Sequence, residues 1–350
     1  MSPRRRLPLP SSRLRLALSL TGLSLAAALT SCSPEPDLIV YCELDQIFSE
    51  ELIQRFEQES GLEVRAEYGI EAARTVGLVQ RLIEEDASQN TRCDVFWNNE
   101  VAHTVRLAER GMLMPYDSPS AAEIPPLFKD TDQRWTGFAA RARVLIVNTD
   151  LADPSEIHGM WDLLDPKWKG QVAIARPLTG TTLTHATALA DVIGKDKAQE
   201  YFEAIAAAGE TGAVNIVTSN GEVMRKVSEG VLSWGWTDTD DYNVALQNGK
   251  PVAVVYPDQD TIGTLLIPNT VCIMKKAPRP DAAKQFIDWV LSEEIEQALA
   301  ESRSAQIPLR PGVPRPEHVR APDSFTTMSV SYQSIGKRLE ASANRFREMF

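Results

Sequence analysis

The sequence lacks the short motifs that mark common classes of enzyme. It contains no GxxxxGK nucleotide loop, no Gly-x-Ser-x-Gly nucleophile elbow and no internal repeat or low-complexity tract. Its few histidines and cysteines show neither CxxC nor Cys/His metal-site spacing, so they do not indicate a zinc-type centre. We interpret the histidines as structural or exposed and three cysteines as buried packing residues: His103, His158, His185, His318, Cys42, Cys93 and Cys272.

Basic side chains are too few for a nucleic-acid-binding surface. The chain has 36 Lys and Arg against 48 Asp and Glu, a formal net charge of −12. Residues 1–15 hold several arginines and no acid, so the rest of the chain is more acidic still. Because phosphate binding requires basic surface, nucleic acid is excluded as a partner. An acidic body instead suits an extracytoplasmic protein that tolerates cationic ligands.

The arginine-rich start and the apolar run after it indicate an export signal. Residues 16–29 are apolar or small, too short a run for a comfortable membrane span. The run ends at Leu-Thr-Ser-Cys32, which resembles the lipobox of bacterial lipoproteins. We therefore predict a signal peptide over 1–31, lipidation at Cys32 and a polar tether over 32–37. A plain signal peptide cut nearby is the alternative.

Strands alternate with helices in the first part of the body. Apolar segments at 38–42, 62–68 and 93–97 are each followed by a helical pattern. This order predicts βαβ units, right-handed crossovers and a mostly parallel sheet. All three strands end in polar loops, which would line one cleft because ligands bind beyond the carboxyl ends of such strands. The candidate ligand-binding residues in these loops are Asp45, Gln46, Glu71 and Asn99.

A group of three carboxylates follows an aromatic strand predicted over 231–236. Asp238, Asp240 and Asp241 lie within four residues of one another. We expect them to face the cleft and to hold a ligand that is cationic, polyhydroxylated or rich in hydrogen bonds. A solvated acidic loop with turn or N-cap functions is the alternative.

Two further segments offer sites for an anion. Arg141 and Arg143 alternate with small residues and lie on one face, where a buried arginine needs a partner. That partner is either an anion or carboxylate of the cleft, or a structural salt bridge. Thr181 and Thr182 open a helix whose free amides and hydroxyls can receive a carboxylate, phosphate or carbonate, although threonine is also ordinary near helix starts.

The rest of the chain continues the α/β pattern. Segments 265–267 and 270–274 are predicted as separate apolar stretches, and 282–299 as one long amphipathic helix. A last helix over 331–349 carries no visible chemistry.

Together these segments resemble the type II periplasmic solute-binding proteins of ABC importers, in the ferric-ion-binding branch. The resemblance covers nearly all of the body and rests on several segments jointly. They are Val-Tyr-Cys-Glu-Leu-Asp-Gln at 40–46, Cys-Asp-Val-Phe-Trp-Asn-Asn at 93–99, Thr-Gly-Phe-Ala-Ala-Arg-Ala-Arg at 136–143, Trp-Asp-Leu-Leu-Asp-Pro-Lys-Trp-Lys-Gly at 161–170 and Phe-Ile-Asp-Trp-Val-Leu-Ser-Glu-Glu at 286–294.

The resemblance implies an α/β fold with two lobes, each a mostly parallel sheet flanked by helices, that close on a ligand about hinge strands. Hinge strands fit near 139–147 and 252–262. The implied boundaries are 37–138 with 263–310 for lobe 1, 139–262 for lobe 2, and 311–350 for a tail helix packed on the body.

The resemblance also implies a function. The protein would be a monomeric, lipid-anchored receptor at the periplasm or cell surface, not an enzyme. It would hand a small solute or metal ion to an ABC permease in the inner membrane.

The family resemblance also bears on the identity of the ligand. Ferric-binding relatives use a neighbouring pair of tyrosines just after the strand that aligns with 231–236, and this chain has Thr237 to Asp241 there. Carboxylates are also hard oxygen ligands. The implied metal ligands are therefore Glu71, Asp238 and Asp240, for Fe(III) with a bridging anion such as carbonate. No other cofactor is implied.

Two alternatives remain open at this point. The same receptor could serve an organic solute, namely a phosphorylated sugar, a phosphonate or a cationic amine. Asp238-Thr-Asp240 also matches the DxD pattern by which many glycosyltransferases hold a metal and a sugar nucleotide. Export argues against an enzyme of that class, because sugar nucleotides are normally absent outside the cytoplasm.

Overall fold

The chain alternates strands and helices along most of its length. The computed structural model describes residues 35–69 and 74–350; the leader, Cys32 and Glu71 lie outside the described residues. The strands are β1 (Leu38–Cys42), β2 (Val64–Tyr68), β3 (Val95–Asn98), β4 (Leu113–Met114), β5 (Thr136–Asn148), β6 (Val172–Ala175), β7 (Asn215–Val217), β8 (Trp234–Asp238), β9 (Val252–Val255) and β10 (Leu266–Met274). The helices are α1 (Gln46–Ser60), α2 (Arg74–Ala87), α3 (Val101–Glu109), α4 (Gly180–Val192), α5 (Lys195–Glu210), α6 (Asn220–Ser228), α7 (Thr239–Gln247), α8 (Pro280–Val290), α9 (Glu293–Glu301) and α10 (Tyr332–Met349). No helix of the described chain is long and apolar enough to cross a membrane.

The strands form two groups that meet at β5. The order along the sheet is β2-β1-β3-β10-β5-β8-β6-β7, with β4 beside β10 and β9 beside β5. In the first half-sheet, β2, β1 and β3 are parallel and β10 is antiparallel to its neighbours β3 and β5. In the second half-sheet, β7, β6 and β8 are parallel to one another, and β8 and β9 are antiparallel to β5. Each half thus contains a parallel set of three strands, and the antiparallel pairs are those made by β5 and β10.

Strand composition follows from burial. β1 reads Leu-Ile-Val-Tyr-Cys and every one of its residues is buried, because helices cover both faces of a parallel strand. β8 contains Gly235, where a Cβ would lie 2.5 Å from Val223 of α6 and 2.7 Å from the carbonyl oxygen of Ala173 in β6. Only glycine allows this close approach of helix and strand.

β5 connects the two half-sheets without a break. Its first residues pair with β10 and its last residues pair with β8 and β9. The ladder between β5 and β10 is irregular near its middle. Ala139 of β5 has a φ of 38°, and the register shifts between Pro268 and Asn269 of β10. The buried carboxylate of Glu296 accepts the amide of Ala139 at 2.9 Å, and Asn269 donates its side-chain amide to the Ala139 carbonyl at 2.7 Å. The freed backbone groups are therefore satisfied locally.

The C-terminal helix packs against elements of both half-sheets. α10 contacts α3, which follows β3, and α4, which follows β6. At Gly336 of α10, helices α10 and α3 approach so closely that a Cβ would lie 2.5 Å from the Val105 side chain. Ion pairs complete the contact: Arg106–Glu340, Lys337–Glu109 and Arg338–Asp191. Helix α10 thus packs on α3 and α4.

Three predicted elements differ from those observed. The long helix over 282–299 is two helices, because Ser292 is the extended N-cap of α9 and acidic residues fill its first turn. The two apolar stretches after 265 form one bulged strand, β10. The aromatic strand begins at Trp234 rather than Val231, which is exposed in the turn after α6.

Candidate functional site

Five helices begin at one cavity between the half-sheets. α1, α3, α4, α6 and α7 follow β1, β3, β6, β7 and β8, so the cavity lies beyond the carboxyl ends of the parallel strands. It measures about 270 Å³ and is lined by Leu44, Asp45, Phe48, Asn99, Glu100, Arg141, Gly180, Thr181, Ser219, Asn220, Gly221, Asp238, Asp240 and Asp241. The amide ends of these helices carry partial positive charge, which favours the carboxylates gathered there. We call this cavity the cleft.

Asp238 is held by a complete set of donors. Arg143, directly across the β5–β8 ladder, donates Nη1 to Oδ1 at 2.8 Å. Thr181 donates its hydroxyl to Oδ2 at 2.6 Å and Asn220 donates its amide to Oδ2 at 3.1 Å. Arg141 Nη1 lies 3.6 Å from the same oxygen. Burial alone would raise the pKa of Asp238, but the two arginines and Thr181 hold it below its ordinary value.

Asp240 and Asp241 lie in the first turn of α7 and are less fully held. Asp240 Oδ2 is 3.4 Å from Arg141, and its Oδ1 accepts the Asp241 amide at 3.0 Å. Asp241 accepts the Thr237 hydroxyl at 2.5 Å. Burial together with Asp240 and Asp238 raises the pKa of Asp241 to about 7. Burial also raises the pKa of Asp240, against the charge of Arg141.

One oxygen from each of Asp238, Asp240 and Asp241 lies within 4.8 Å of the others. This is a spacing that one cation can bridge. Carboxylate oxygens are the donors that hard cations prefer.

Glu100 brings a fourth carboxylate from the opposite half-sheet. It precedes α3 and is 1% exposed. Its Oε2 accepts the hydroxyl of Thr184, in α4, at 2.6 Å, so the contact joins the two sides of the cleft. Its Oε1 has no hydrogen-bond partner within the described chain. Burial raises the pKa of Glu100 to about 7, although Thr184 opposes this.

Comparisons with known proteins identify the family. Residues 51–327 match the family model for bacterial extracellular solute-binding proteins. The chain belongs to this family.

One curated relative and two solved structures agree with this family assignment. Iron uptake protein A1 of Synechocystis is 24% identical over 340 residues, covering 91% of this chain and 92% of the relative. Iron-bound HitA from Pseudomonas aeruginosa has a TM-score of 0.79 at 22% identity and covers 88% of this chain and 98% of that one. AfuA from Actinobacillus pleuropneumoniae, solved with exogenous fructose-6-phosphate, has a TM-score of 0.76 at 23% identity. The match covers 89% of this chain and 98% of AfuA. The two solved structures share the two-lobed fold with this solute-binding protein, so the predicted fold class is confirmed.

The cleft of this solute-binding protein brings together most of the predicted ligand-binding residues. Asp45, Asn99, Arg141, Thr181, Asp238, Asp240 and Asp241 all line it. Thr182 does not line it; its hydroxyl lies behind the cleft, donating to Asn220 and accepting from Arg143. Gln46 is exposed at the start of α1 and is not part of the lining. Glu71 is outside the described residues.

Three residues of the site were not predicted as ligand-binding: Arg143, Asn220 and Glu100. Arg143 was identified in the sequence as needing a partner, and that partner is Asp238. Asn220 begins α6 next to a capping serine, so the local pattern favours a structural role. Glu100 follows two asparagines after β3 and could have been included with Asn99, because the same loop carries both.

The cleft lining of this solute-binding protein includes no tyrosine among the described residues. The two tyrosines nearest in sequence to the three aspartates pack against other parts of the body. Tyr242 packs with the small core around Ile146, and Tyr256 packs against Phe325 beneath Arg320. The carboxylates are therefore the hard oxygen donors that this part of the chain offers to a cation.

Proposed function

We propose that this solute-binding protein is the extracytoplasmic receptor of an ABC-type importer and that its cargo is ferric iron. The observation that carries the proposal is the group of Asp238, Asp240 and Asp241, whose oxygens lie within 4.8 Å of one another in the cleft. The relatives named for iron uptake and iron binding support the choice of metal. In this proposal the protein binds and delivers its cargo and catalyses no reaction.

A direct metal assay tests the cargo. The purified mature protein is analysed for bound metal and then titrated with ferric ion in a calorimeter. We expect one ferric ion per chain and saturation near equal amounts. A protein that binds no ferric ion after removal of bound metal, while its melting curve shows that it is folded, contradicts the proposal.

We further propose that the two halves close on the cargo, with 37–138 and 263–310 as lobe 1 and 139–262 as lobe 2. The course of β5 supports a division within this strand, because its pairing changes from β10 to β8 between Ala142 and Arg143, close to the proposed boundary. Two contacts join the sides at the cleft: Glu100 with Thr184, and Arg141 with the carbonyl of Asn99.

Export and anchoring complete the proposed function. We infer that residues 1–31 are removed, that Cys32 carries the lipid and that 32–37 tether a monomeric body beside its permease in the inner membrane. The Leu-Thr-Ser-Cys32 sequence supports this. A fatty-acid probe should label the wild-type protein and leave Cys32→Ser unlabelled. Equal labelling of both would contradict the anchor.

A second candidate cargo is a polar organic solute. It is favoured by the absence of tyrosine from the described cleft lining, by Arg141 at its wall and by the similarity to AfuA, which was solved with a sugar phosphate. The variants Asp240→Asn and Arg141→Gln separate the two. An iron site loses more affinity from the first, whereas a site for an organic anion loses more from the second and gains or keeps affinity with the first.

The bridging carbonate expected with Fe(III) has candidate donors in the cleft. Arg141, the Thr181 hydroxyl and the start of α4 are the groups that would hold it. Arg141 and Thr181 already contact the Asp238 carboxylate, so a bridging carbonate would compete with Asp238 for the same donors.

A further inference from the structure

Asp238 differs from the other acids of the cleft in the number of donors that its carboxylate receives. Its two oxygens receive Arg143, Thr181 and Asn220 at 2.6 to 3.1 Å, and Arg141 approaches at 3.6 Å. A carboxylate with this many charged and neutral donors is strongly bound in place. It is 2% exposed, so these bonds are shielded from water.

The donors around Asp238 are the ones that a bridging anion would use. Arg141 and Thr181 were predicted from the sequence to receive a carbonate or phosphate, and Thr182 is linked to the same network through Arg143 and Asn220. A carboxylate and a carbonate present the same planar pair of oxygens to such donors. Because a second anion in contact with Asp238 would meet like charge in a buried setting, the network accommodates one anion and not two.

The other three carboxylates receive fewer donors than Asp238. Asp240 and Asp241 receive one neutral donor each at close range, and Arg141 reaches Asp240 only at 3.4 Å. Glu100 offers Oε1, which has no hydrogen-bond partner in the described chain although the residue is buried. Glu100 lies outside the group of Asp238, Asp240 and Asp241, whose oxygens are within 4.8 Å of one another. The spare acceptor capacity for a cation in that group therefore lies mainly on Asp240 and Asp241.

We propose that the Asp238 carboxylate is a resident anion, so that this receptor binds its cation at the group of Asp238, Asp240 and Asp241 without a bridging carbonate or phosphate. The inference rests on the proposed function for the identity of the cation, but the occupied anion position is a property of the chain alone. It also assigns Asp238 a positioning role, since Asp238 holds Arg141 and Arg143 beside Asp240 and Asp241.

The first experiment measures the anion dependence of the wild-type protein. Ferric chloride is added to metal-free protein in a degassed buffer without bicarbonate or phosphate, and tryptophan fluorescence reports binding. The titration is repeated with bicarbonate and with phosphate. We expect dissociation constants that agree within about twofold. A wild-type affinity that rises about tenfold or more with either anion overturns the proposal.

The second experiment uses phosphate alone and no metal. Asp238→Ala leaves Arg141, Arg143, Thr181 and Asn220 around a vacated anion position. We expect inorganic phosphate to raise the melting temperature of this variant in a saturable way and to leave the wild type unchanged. Asp238→Ser is the second variant, since it keeps a polar group at the end of β8 if the alanine variant does not fold.

Asp94→Asn is the matched control. Asp94 is a fully buried acid that pairs with Arg279 and accepts the Ile39 amide, far from the cleft in the first half-sheet. Breaking that pair should lower stability without creating a response to phosphate. A folded Asp238 variant that phosphate does not stabilise, or a wild type stabilised equally, overturns the resident anion.

The two experiments separate the two levels of the proposal. If the wild type binds no ferric ion at any anion concentration, the proposed iron function fails, and the phosphate response of the Asp238 variants still decides whether the anion position is occupied by the chain. If iron binds but only with added carbonate or phosphate, the iron function stands and the resident anion fails.

Discussion

Asp240 and Arg141 face one another across the mouth of the cleft at 3.4 Å, a distance too long for a strong ion pair. Asp240→Asn keeps the shape of the side chain and removes its charge. We expect ferric affinity to fall about tenfold to a hundredfold, because a lost charged contact in a closed site costs about 1.5 to 3 kcal/mol. Calorimetry measures the change. Asp260→Asn, at an exposed acid outside the cleft, is the control and should change affinity by less than about twofold.

Asp258 is a buried acid that serves no part of the cleft, and it predicts a pH effect on stability. Burial, together with Asp162, raises its pKa to about 6, although the Met160 amide opposes this. A raised pKa in the folded state means that the stability from this group is present below pH 4 and is lost as pH rises through about 6.

Asp258→Asn removes the ionisable carboxyl group and with it the loss of stability above pH 6. Residue 258 has a φ of 59°, a conformation that asparagine adopts readily. We expect the variant to be more stable than wild type by about 3 kcal/mol at pH 7, with the difference vanishing near pH 4. Urea unfolding at both pH values checks this. A difference that is the same at pH 4 and pH 7 would show that titration of Asp258 is not its cause.

The residues of the cleft were predictable from sequence by type more readily than by role. The three aspartates after β8 could be assigned to a cleft because strand ends in an α/β sheet converge. The sequence does not show which of the three aspartates pairs with an arginine. Arg143 contacts Asp238 because of the register of β5 on β8, and the two residues are 95 positions apart in the chain. Glu100 shows the same limit, since Thr184 is distant in sequence.

Helix α10 provides a prediction at the scale of the element. In an exposed helix, Gly→Ala stabilises by about 1 kcal/mol. At Gly336 a Cβ would lie 2.5 Å from Val105 and 3.0 Å from the Ala102 carbonyl oxygen. We therefore expect Gly336→Ala to destabilise by about 1 to 3 kcal/mol, as overpacking does. Gly221→Ala is the comparison in denaturant unfolding, because its nearest atom is 3.9 Å away and the change should be neutral or slightly stabilising.

Element boundaries were predicted where composition changes sharply. Helix α1 and strand β1 were found because an apolar run gives way to a periodic pattern. The break between α8 and α9 was missed, because the apolar spacing continues through Leu291 and only the N-cap conformation of Ser292 reveals it. The path of α10 across α3 and α4 is a tertiary property that its amphipathic pattern does not contain.

Closure is the prediction for the whole molecule. If the halves rotate about β5, saturating ligand should lower the radius of gyration measured by small-angle X-ray scattering. Ligand at a hundredfold excess over its dissociation constant should also stabilise the fold by about 3 kcal/mol through mass action. Scattering that is unchanged in a protein shown by calorimetry to be saturated would count against closure and leave binding intact.

The shared strand β5 also bears on how such a receptor can diversify. Its thirteen residues pair with β10 as far as Ala142, on both sides of the irregularity at Ala139, and with β8 and β9 from Arg143 onward. A recombination event that replaced one half with that of a relative would have to divide this strand or carry it whole, and in both cases one ladder would combine strands of different ancestry. The chain also returns to the first half-sheet through 256–265, so an exchange needs a second junction there. Point changes in the loops that follow β1, β3, β6, β7 and β8 would leave both ladders of β5 intact, so they alter the cleft with less structural change than an exchange of halves.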